Sequence, residues 1–349
     1  MTNAKDILQP FIIDFSRKHW LKNTIWTNEP RILEIKAILD DWLADKDLTL
    51  QSSGSTGEPK TCTFTKEQII ASCNRTLKLL RAKRGEAMAL VLPVHFTGGR
   101  MVVLRALLGK LKLVCWAPSL ELNFHEHHID HISVVPPQLE ANAALLQTCK
   151  TVLTGGAPLS VEMEAYPWTT NVFHTYGMTE TLSHVAIRKP GTANVYKALR
   201  GVSFSRDDRG CLVIDDEVLG IEQLITNDLV SRLNKSKFQY EGRADEVINS
   251  GGVKISVKQW IDEWRLLNET PIRLASLPDE RFGQQLVLLV TAAIDEEKVL
   301  SDIKKIPKVV RPRAVYLVSQ WPETPLGKPK IFLQDEDISE LAGRKILTL

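Results

Sequence analysis

Ten residues constrain this chain more than any others: Gln51-Ser52-Ser53-Gly54-Ser55-Thr56-Gly57-Glu58-Pro59-Lys60. Two glycines, four hydroxyl side chains and a terminal lysine supply a dense set of N–H and O–H donors with a cation at one end. Glycine removes the Cβ that would keep a backbone from wrapping an anion, so successive amides can converge on phosphate oxygens. Pro59 disfavours helix at Glu58, and Leu48-Thr49-Leu50 and Thr61-Cys62-Thr63-Phe64 on either side are β-prone. The expectation is a strand-loop-strand hairpin that acts as a flap over a ligand. A nucleotide P-loop is excluded, because only two residues separate Gly54 from Gly57 and Pro59 precedes the lysine. Taken without its surroundings, the same composition also describes a flexible linker.

Beyond the loop, helix and strand patterns alternate. Lys66 to Leu80 reads as a helix, Met88 to Leu92 as a buried strand ending at Pro93, and Met101 to Leu108 as an apolar helix carrying Arg105. Lys112 to Trp116 and Ile132 to Val135 read as further strands, and such alternation predicts an α/β domain with largely parallel sheets. Residues 1 to 47 read as helical, with Ile32, Ile35, Leu39 and Trp42 at helical spacing. Residues 201 to 226 read as short β segments. Ser256-Val257-Lys258-Gln259 is a capping box opening a helix with Trp260, Ile261, Trp264 and Leu267 on one face. A strand from Leu286 to Ala292 and a basic helix near 296 to 305 complete a second, α+β module of about a hundred residues. Two domains also suit a length of 349 residues.

Charge is balanced at 44 Lys+Arg against 42 Asp+Glu, which argues against a nucleic-acid footprint spread over the whole surface. Five cysteines, at 62, 73, 115, 149 and 211, show no C-x-x-C spacing and read as reduced thiols of a cytoplasmic protein. No signal-peptide pattern opens the chain, and no apolar run approaches the ~20 residues of a membrane span. His125-Glu126-His127-His128-Ile129-Asp130-His131 raises a zinc reading through a helical His127/His131 pair, against the plainer reading of a polar loop.

Several segments, in order, carry a more specific signal: the loop in the form [ST]-[ST]-G-[ST]-T-G-x-P-K; Gly155-Gly156-Ala157-Pro158 after Val152-Leu153-Thr154; Tyr176-Gly177-Met178-Thr179-Glu180; Thr226-Asn227-Asp228; Gly242-Arg243-Ala244-Asp245; and Gly327-Lys328. Together they resemble the AMP-forming acyl/aryl-CoA synthetase, adenylation-domain and luciferase superfamily. The resemblance implies a large N-terminal domain of layered sheets and helices over residues 1–242, a hinge at 243–246, and a small mobile α+β domain over 247–349.

It also implies roles. Ser52, Ser53, Gly54, Ser55, Thr56, Gly57 and Lys60 would hold ATP phosphates, with Gly155 and Gly156 lying against adenine or acyl group. His174 stands where glutamine is common and Thr175 where glycine is. Tyr176 would stack on adenine, Thr179 bind phosphate, Glu180 hold Mg²⁺, Asp228 bond the ribose hydroxyls and Arg243 reach ribose or phosphate. Asp245 would be the hinge, Gly251 and Gly252 would approach the coenzyme A arm, and Lys328 would be the catalytic lysine, with Lys330 as the alternative. His95, Gly177 and Arg105 would line the acyl pocket, Arg105 meeting an anionic group, although a lone arginine on an apolar helix also reads as a snorkelling side chain. The implied reaction joins a small-molecule acid to ATP and then to coenzyme A. An enzyme loading a carrier protein and a non-catalytic nucleotide-binding regulator share most of these motifs.

Overall fold

The computed structural model describes residues 10–51, 61–124, 127–192, 194–250, 252–267, 271–281, 283–291, 295–319, 332–333 and 344–348. Ser52, Ser53, Gly54, Ser55, Thr56, Gly57, Lys60, Gly251 and Lys328 therefore lie outside the described residues. The chain divides into two compact units: residues 1–205, 214–224 and 232–239 form the first, and residues 206–213, 225–231 and 240–349 the second.

The first unit is built on a parallel sheet. β1 (Phe11–Asp14) precedes the helices α1 (Trp20–Asn23) and α2 (Pro30–Leu43). β2 (Leu48–Gln51) and β3 (Thr61–Phe64) pair antiparallel, Gln51 opposite Thr61, as the hairpin expectation required. α3 (Lys66–Leu80) and α4 (Thr97–Leu108) flank β4 (Ala87–Leu90), and β5 (Lys112–Cys115), β6 (His131–Val134), β7 (Thr151–Gly155) and β8 (Asn171–Gly177) follow. β4 pairs parallel with both β5 and β6, β6 with β7, and β7 with β8. β9 (His184–Arg188) and β10 (Val195–Ala198) extend the sheet antiparallel.

Ala87 and Ala89 face one core with Ile132, Val152 and Leu139, while Met88 and Leu90 face the other with Val102, Val103 and Leu39. Burial on both faces is why the β4 sequence is uniformly apolar rather than alternating. α3 is started by a reciprocal cap: Gln68 N–H donates to Thr65 Oγ1 (3.4 Å) and Thr65 N–H to Gln68 Oε1 (2.9 Å).

Two expectations need correction. The helical reading of residues 1–47 holds for Trp20–Asn23 and Pro30–Leu43, and residues 1–9 lie outside the described residues, but Phe11–Asp14 is a strand antiparallel to β5. Ile12 and Ile13 point to opposite cores, a period of two that is too short a run to register against the longer helical pattern. Residues 127–130 are loop, the plainer of the two readings of the histidine cluster, so His127 and His131 do not share a helix. His131 begins β6 and is fully buried against Glu86 (3.0 Å), His128 lies 3.4 Å from Asp130, and among the described residues no group of His, Cys, Asp and Glu could hold a metal.

In the second unit, Val247–Ser250 and Val253–Ser256 form a hairpin, and Arg273–Asp279 pairs antiparallel with Gly283–Val290. Ala314–Leu317 joins that strand in parallel. Helices Val257–Leu267 and Glu296–Lys305 cover the sheet through Trp260, Trp264, Val299 and Ile303. Among the described residues, no helix is long and apolar enough to cross a membrane.

Candidate active site

Three chain segments leave the parallel strands at their carboxyl ends: Val94 to Thr97 after β4, Gly155 to Ala157 after β7, and Tyr176 to Glu180 at and beyond the end of β8. Ligands of open α/β sheets bind outside this edge, where loops and helix starts converge.

At β7, Gly155 lies opposite Thr175 of β8, and a Cβ there would sit 2.3 Å from Thr175 Oγ1. Only glycine permits that approach, which lets Thr175 Oγ1 donate to Thr154 O (3.0 Å). Gly156 has φ +88° and opens onto free space, so the backbone is accessible to a flat group. His174 is buried behind the turn. Its Nε2–H donates to the Ala157 carbonyl (2.9 Å), which leaves Nδ1 to accept from Tyr196 O–H (3.1 Å). Burial first, then the nearby Arg188 cation, lower its pKa to about 4. His174 thus braces the glycine turn with both ring nitrogens engaged.

At β8, Tyr176 packs its ring edge-on against Phe238 (4.9 Å) and near Tyr196 (5.7 Å). Gly177 is exposed, and a Cβ would meet Ser183 O at 2.3 Å. Thr179, Glu180 and Thr181 form a single 3₁₀ turn, closed because Met178 N–H donates to Thr181 Oγ1 (3.0 Å), which donates to Ser183 O (2.7 Å). Thr179 Oγ1 stands 3.4 Å from Thr97 Oγ1 at the start of α4. His95 is exposed beside Phe96 and lines a cavity of about 430 Å³ with Val94, Arg100, Trp42 and Leu104. Arg105 is 3% exposed, and its guanidinium donates to Ser183 Oγ. Thr97, Ser183, His184 and Tyr196 escaped the sequence reading, although the hydroxyl-rich run after Glu180 was visible there.

The second unit holds the other described candidates. Asp228 is buried, and its N–H donates to Thr226 Oγ1 (3.0 Å), which donates to Leu212 O (2.8 Å). Arg243 grips Asp245 through two bonds (2.8 and 2.7 Å), reaches Asp228 at 3.3 Å and lies 3.9 Å from Glu246. Burial opposes the Arg243 charge, but these carboxylates outweigh it and raise its pKa. Burial pushes Glu246 up to about 7, against the pull of Arg243 and with the help of Asp245 and Asp228. Gly252, with φ +81°, makes the turn of the Val247–Ser256 hairpin.

Comparison with known proteins adds four findings. The family described as AMP-binding enzyme matches residues 47–217. The crystal structure of an acyl-CoA synthetase (AMP-forming)/AMP-acid ligase II-like protein from Dyadobacter fermentans is 30% identical, with 93% of this chain and 98% of that one covered at a TM-score of 0.59. The 2-succinylbenzoate–CoA ligase of Lactococcus lactis is 24% identical over 335 residues, 87% of this chain and 73% of that protein. In fold alone, the o-succinylbenzoate CoA synthetase of Bacillus subtilis, solved with its acyl-adenylate intermediate, superposes at a TM-score of 0.68 with 17% identity, covering 80% of this chain and 67% of that one.

Proposed function

Because the chain belongs to the AMP-binding enzyme family, we propose that it activates a carboxylic acid with ATP and passes the acyl group to coenzyme A. The observation that carries this reading is the open carboxyl edge of β7 and β8. There the exposed Gly156 and Gly177 lie on the same edge as the half-buried Thr179 and Glu180.

Bringing a carboxylate to the α-phosphorus of ATP sets two anions together, so cationic and donor groups must offset their repulsion. Glu180 and Thr179 offer oxygen donors only, the set a hard divalent ion such as Mg²⁺ takes alongside phosphate oxygens, and the ion would spread negative charge there. Lys60 and the hydroxyls and amides from Ser52 to Gly57 hold the departing pyrophosphate, and Tyr176, Gly155 and Gly156 hold adenine. Asp228 accepts from the ribose hydroxyls, Arg243 serves ribose or phosphate, and Lys328 neutralises charge on the phosphate and bridging oxygens. The acid's oxygen bonds to the α-phosphorus as the bond to pyrophosphate breaks. The coenzyme A sulfur then attacks the acyl carbon and AMP leaves with the electrons of the broken acyl–oxygen bond.

For the acid we propose o-succinylbenzoate, in menaquinone biosynthesis. His95-Phe96-Thr97-Gly98-Gly99 followed by Val103-Leu104-Arg105-Ala106-Leu107 resembles the acyl-pocket segment of compact o-succinylbenzoate–CoA ligases, and the Lactococcus relative bears that name. The five cysteines, none in a C-x-x-C pattern, suit the reducing cytoplasm, where we place the reaction. The test is AMP and pyrophosphate release across aromatic and aliphatic acids, with and without coenzyme A. Turnover of o-succinylbenzoate well above that of other acids supports the substrate, release with another acid alone moves the assignment to that acid, and no release with any acid removes the reading.

A further inference from the structure

Arg105 is an anomaly for a protein core. It is 3% exposed, has no carboxylate partner among the described residues, and leaves Nε unbonded. Burial, with the nearby Arg75 cation opposing and Cys73 assisting the charge, lowers its pKa. A buried guanidinium without a counter-ion is costly, and such violations of packing rules are expected where function requires them.

With Thr76 Oγ1 bonded to Ser72 O, the hydrogen bonds around it run in one consistent direction. Thr76 Oγ1 donates to Ser72 O (3.3 Å), so it accepts from His184 Nε2–H (3.1 Å). His184 Nδ1 is then bare and accepts from Ser183 O–H (3.3 Å), and Ser183 Oγ accepts from Arg105 Nη2. Burial, reinforced by Arg105 and Arg75, pushes the His184 pKa well below its usual value and keeps the ring neutral, as this direction requires. One end of the chain is α4 and the other is α3. Its middle, Ser183, also closes the turn that carries Thr179 and Glu180, through Thr181 Oγ1 and through its own N–H to Thr181 O (2.6 Å). α4 therefore meets the Thr179–Ser183 segment twice, at Thr97 and at Arg105, two helical turns apart.

We propose that Arg105 is a positioning residue for the Thr179–Glu180 turn, acting through Ser183 and His184, rather than a ligand for a substrate carboxylate. The proposal rests on the adenylating reading, because the turn it fixes is the one assigned to phosphate and the divalent ion. Groups that orient a metal ligand typically change metal affinity about 10–100-fold when removed.

The test is calorimetric binding of MgATP and of ATP in EDTA to wild type, Arg105→Met, Arg105→Lys and Ser183→Ala, with kcat and KM for monocarboxylic and dicarboxylic acids and a thermal melt of each. Arg105→Met and Ser183→Ala should weaken MgATP about tenfold while metal-free ATP changes less than about twofold. They should lower kcat by one factor for every acid, and Arg105→Lys should recover part of the loss. If Arg105→Met does not fold, Ser183→Ala decides by the same readouts. Unchanged MgATP affinity with a raised KM for dicarboxylic acids alone overturns the proposal in favour of substrate contact. Equal losses of MgATP and metal-free ATP binding overturn it in favour of a purely structural role. A wild-type protein that binds no MgATP removes the functional reading and this inference together.

Discussion

The two ends of the parallel sheet use similar side chains in opposite ways. At the amino end, Glu86 before β4 is bonded to Lys150 (2.5 Å) and to buried His131 (3.0 Å), while Asp130 accepts from Ala87 N–H (2.9 Å). At the carboxyl end, Glu180 has no ion pair among the described residues, and Gly156 and Gly177 are exposed. The first end satisfies its charges internally and so contributes stability. The second keeps a carboxylate, hydroxyls and bare backbone in reserve for something the protein itself does not supply.

The strongest break in this comparison would come from Glu180→Gln. We expect AMP formation to fall about 100-fold or more while unfolding stability stays within about 0.5 kcal/mol of wild type, as read by pyrophosphate release and a denaturant melt. Retained turnover would mean the carboxyl end is not the reactive one. Its counterpart, Glu86→Gln, should cost about 2 kcal/mol by taking the carboxylate from buried His131 and from Lys150, yet leave turnover per folded molecule unchanged.

The acid limb of stability sharpens that contrast. Burial alone would raise the Glu86 pKa, but bonds from Lys150, Lys83 N–H and His131 bring it from the ordinary 4.5 down to about 2. A depressed carboxylate stabilises the fold above its ordinary pKa and loses that contribution as pH falls through its folded value. Wild type should therefore lose stability between about pH 4.5 and 2, and Glu86→Gln should show a shallower slope there.

Gly155→Ala should destabilise by about 1–3 kcal/mol through overpacking. Thr175→Gly in the same chain should recover part of that, because it removes the oxygen 2.3 Å from the added Cβ while the Thr175 carbonyl oxygen at 2.8 Å remains. An additive double mutant would show that the 155/175 pair is not the tight contact it is drawn to be.

The smallest effect concerns His174. A histidine held at about pKa 4 contributes fully above its ordinary 6.5 and loses that contribution as pH falls towards 4. His174→Gln keeps a donor for Ala157 and should flatten stability in that window, measured by melts at stepped pH.

The β2–β3 hairpin and the α3 and Glu296–Lys305 helices were legible because each rests on local chemistry: period, caps, glycine and proline. The strand at Phe11–Asp14 was not legible, since its partner β5 lies a hundred residues away and only pairing reveals it. The same holds for the histidines near 131, whose crowding in sequence suggested a metal and whose placement in space gave one to a buried ion network.

The sequence alone thus determined where glycines and hydroxyls gather and which oxygen donors stand near them along the chain. Only the tertiary structure decided what each long side chain does. A guanidinium such as Arg105 or an imidazole such as His174 spans enough space to reach several partners, and its role is set by the direction of bonds to residues that are distant in the chain, as with Ser183 and Tyr196.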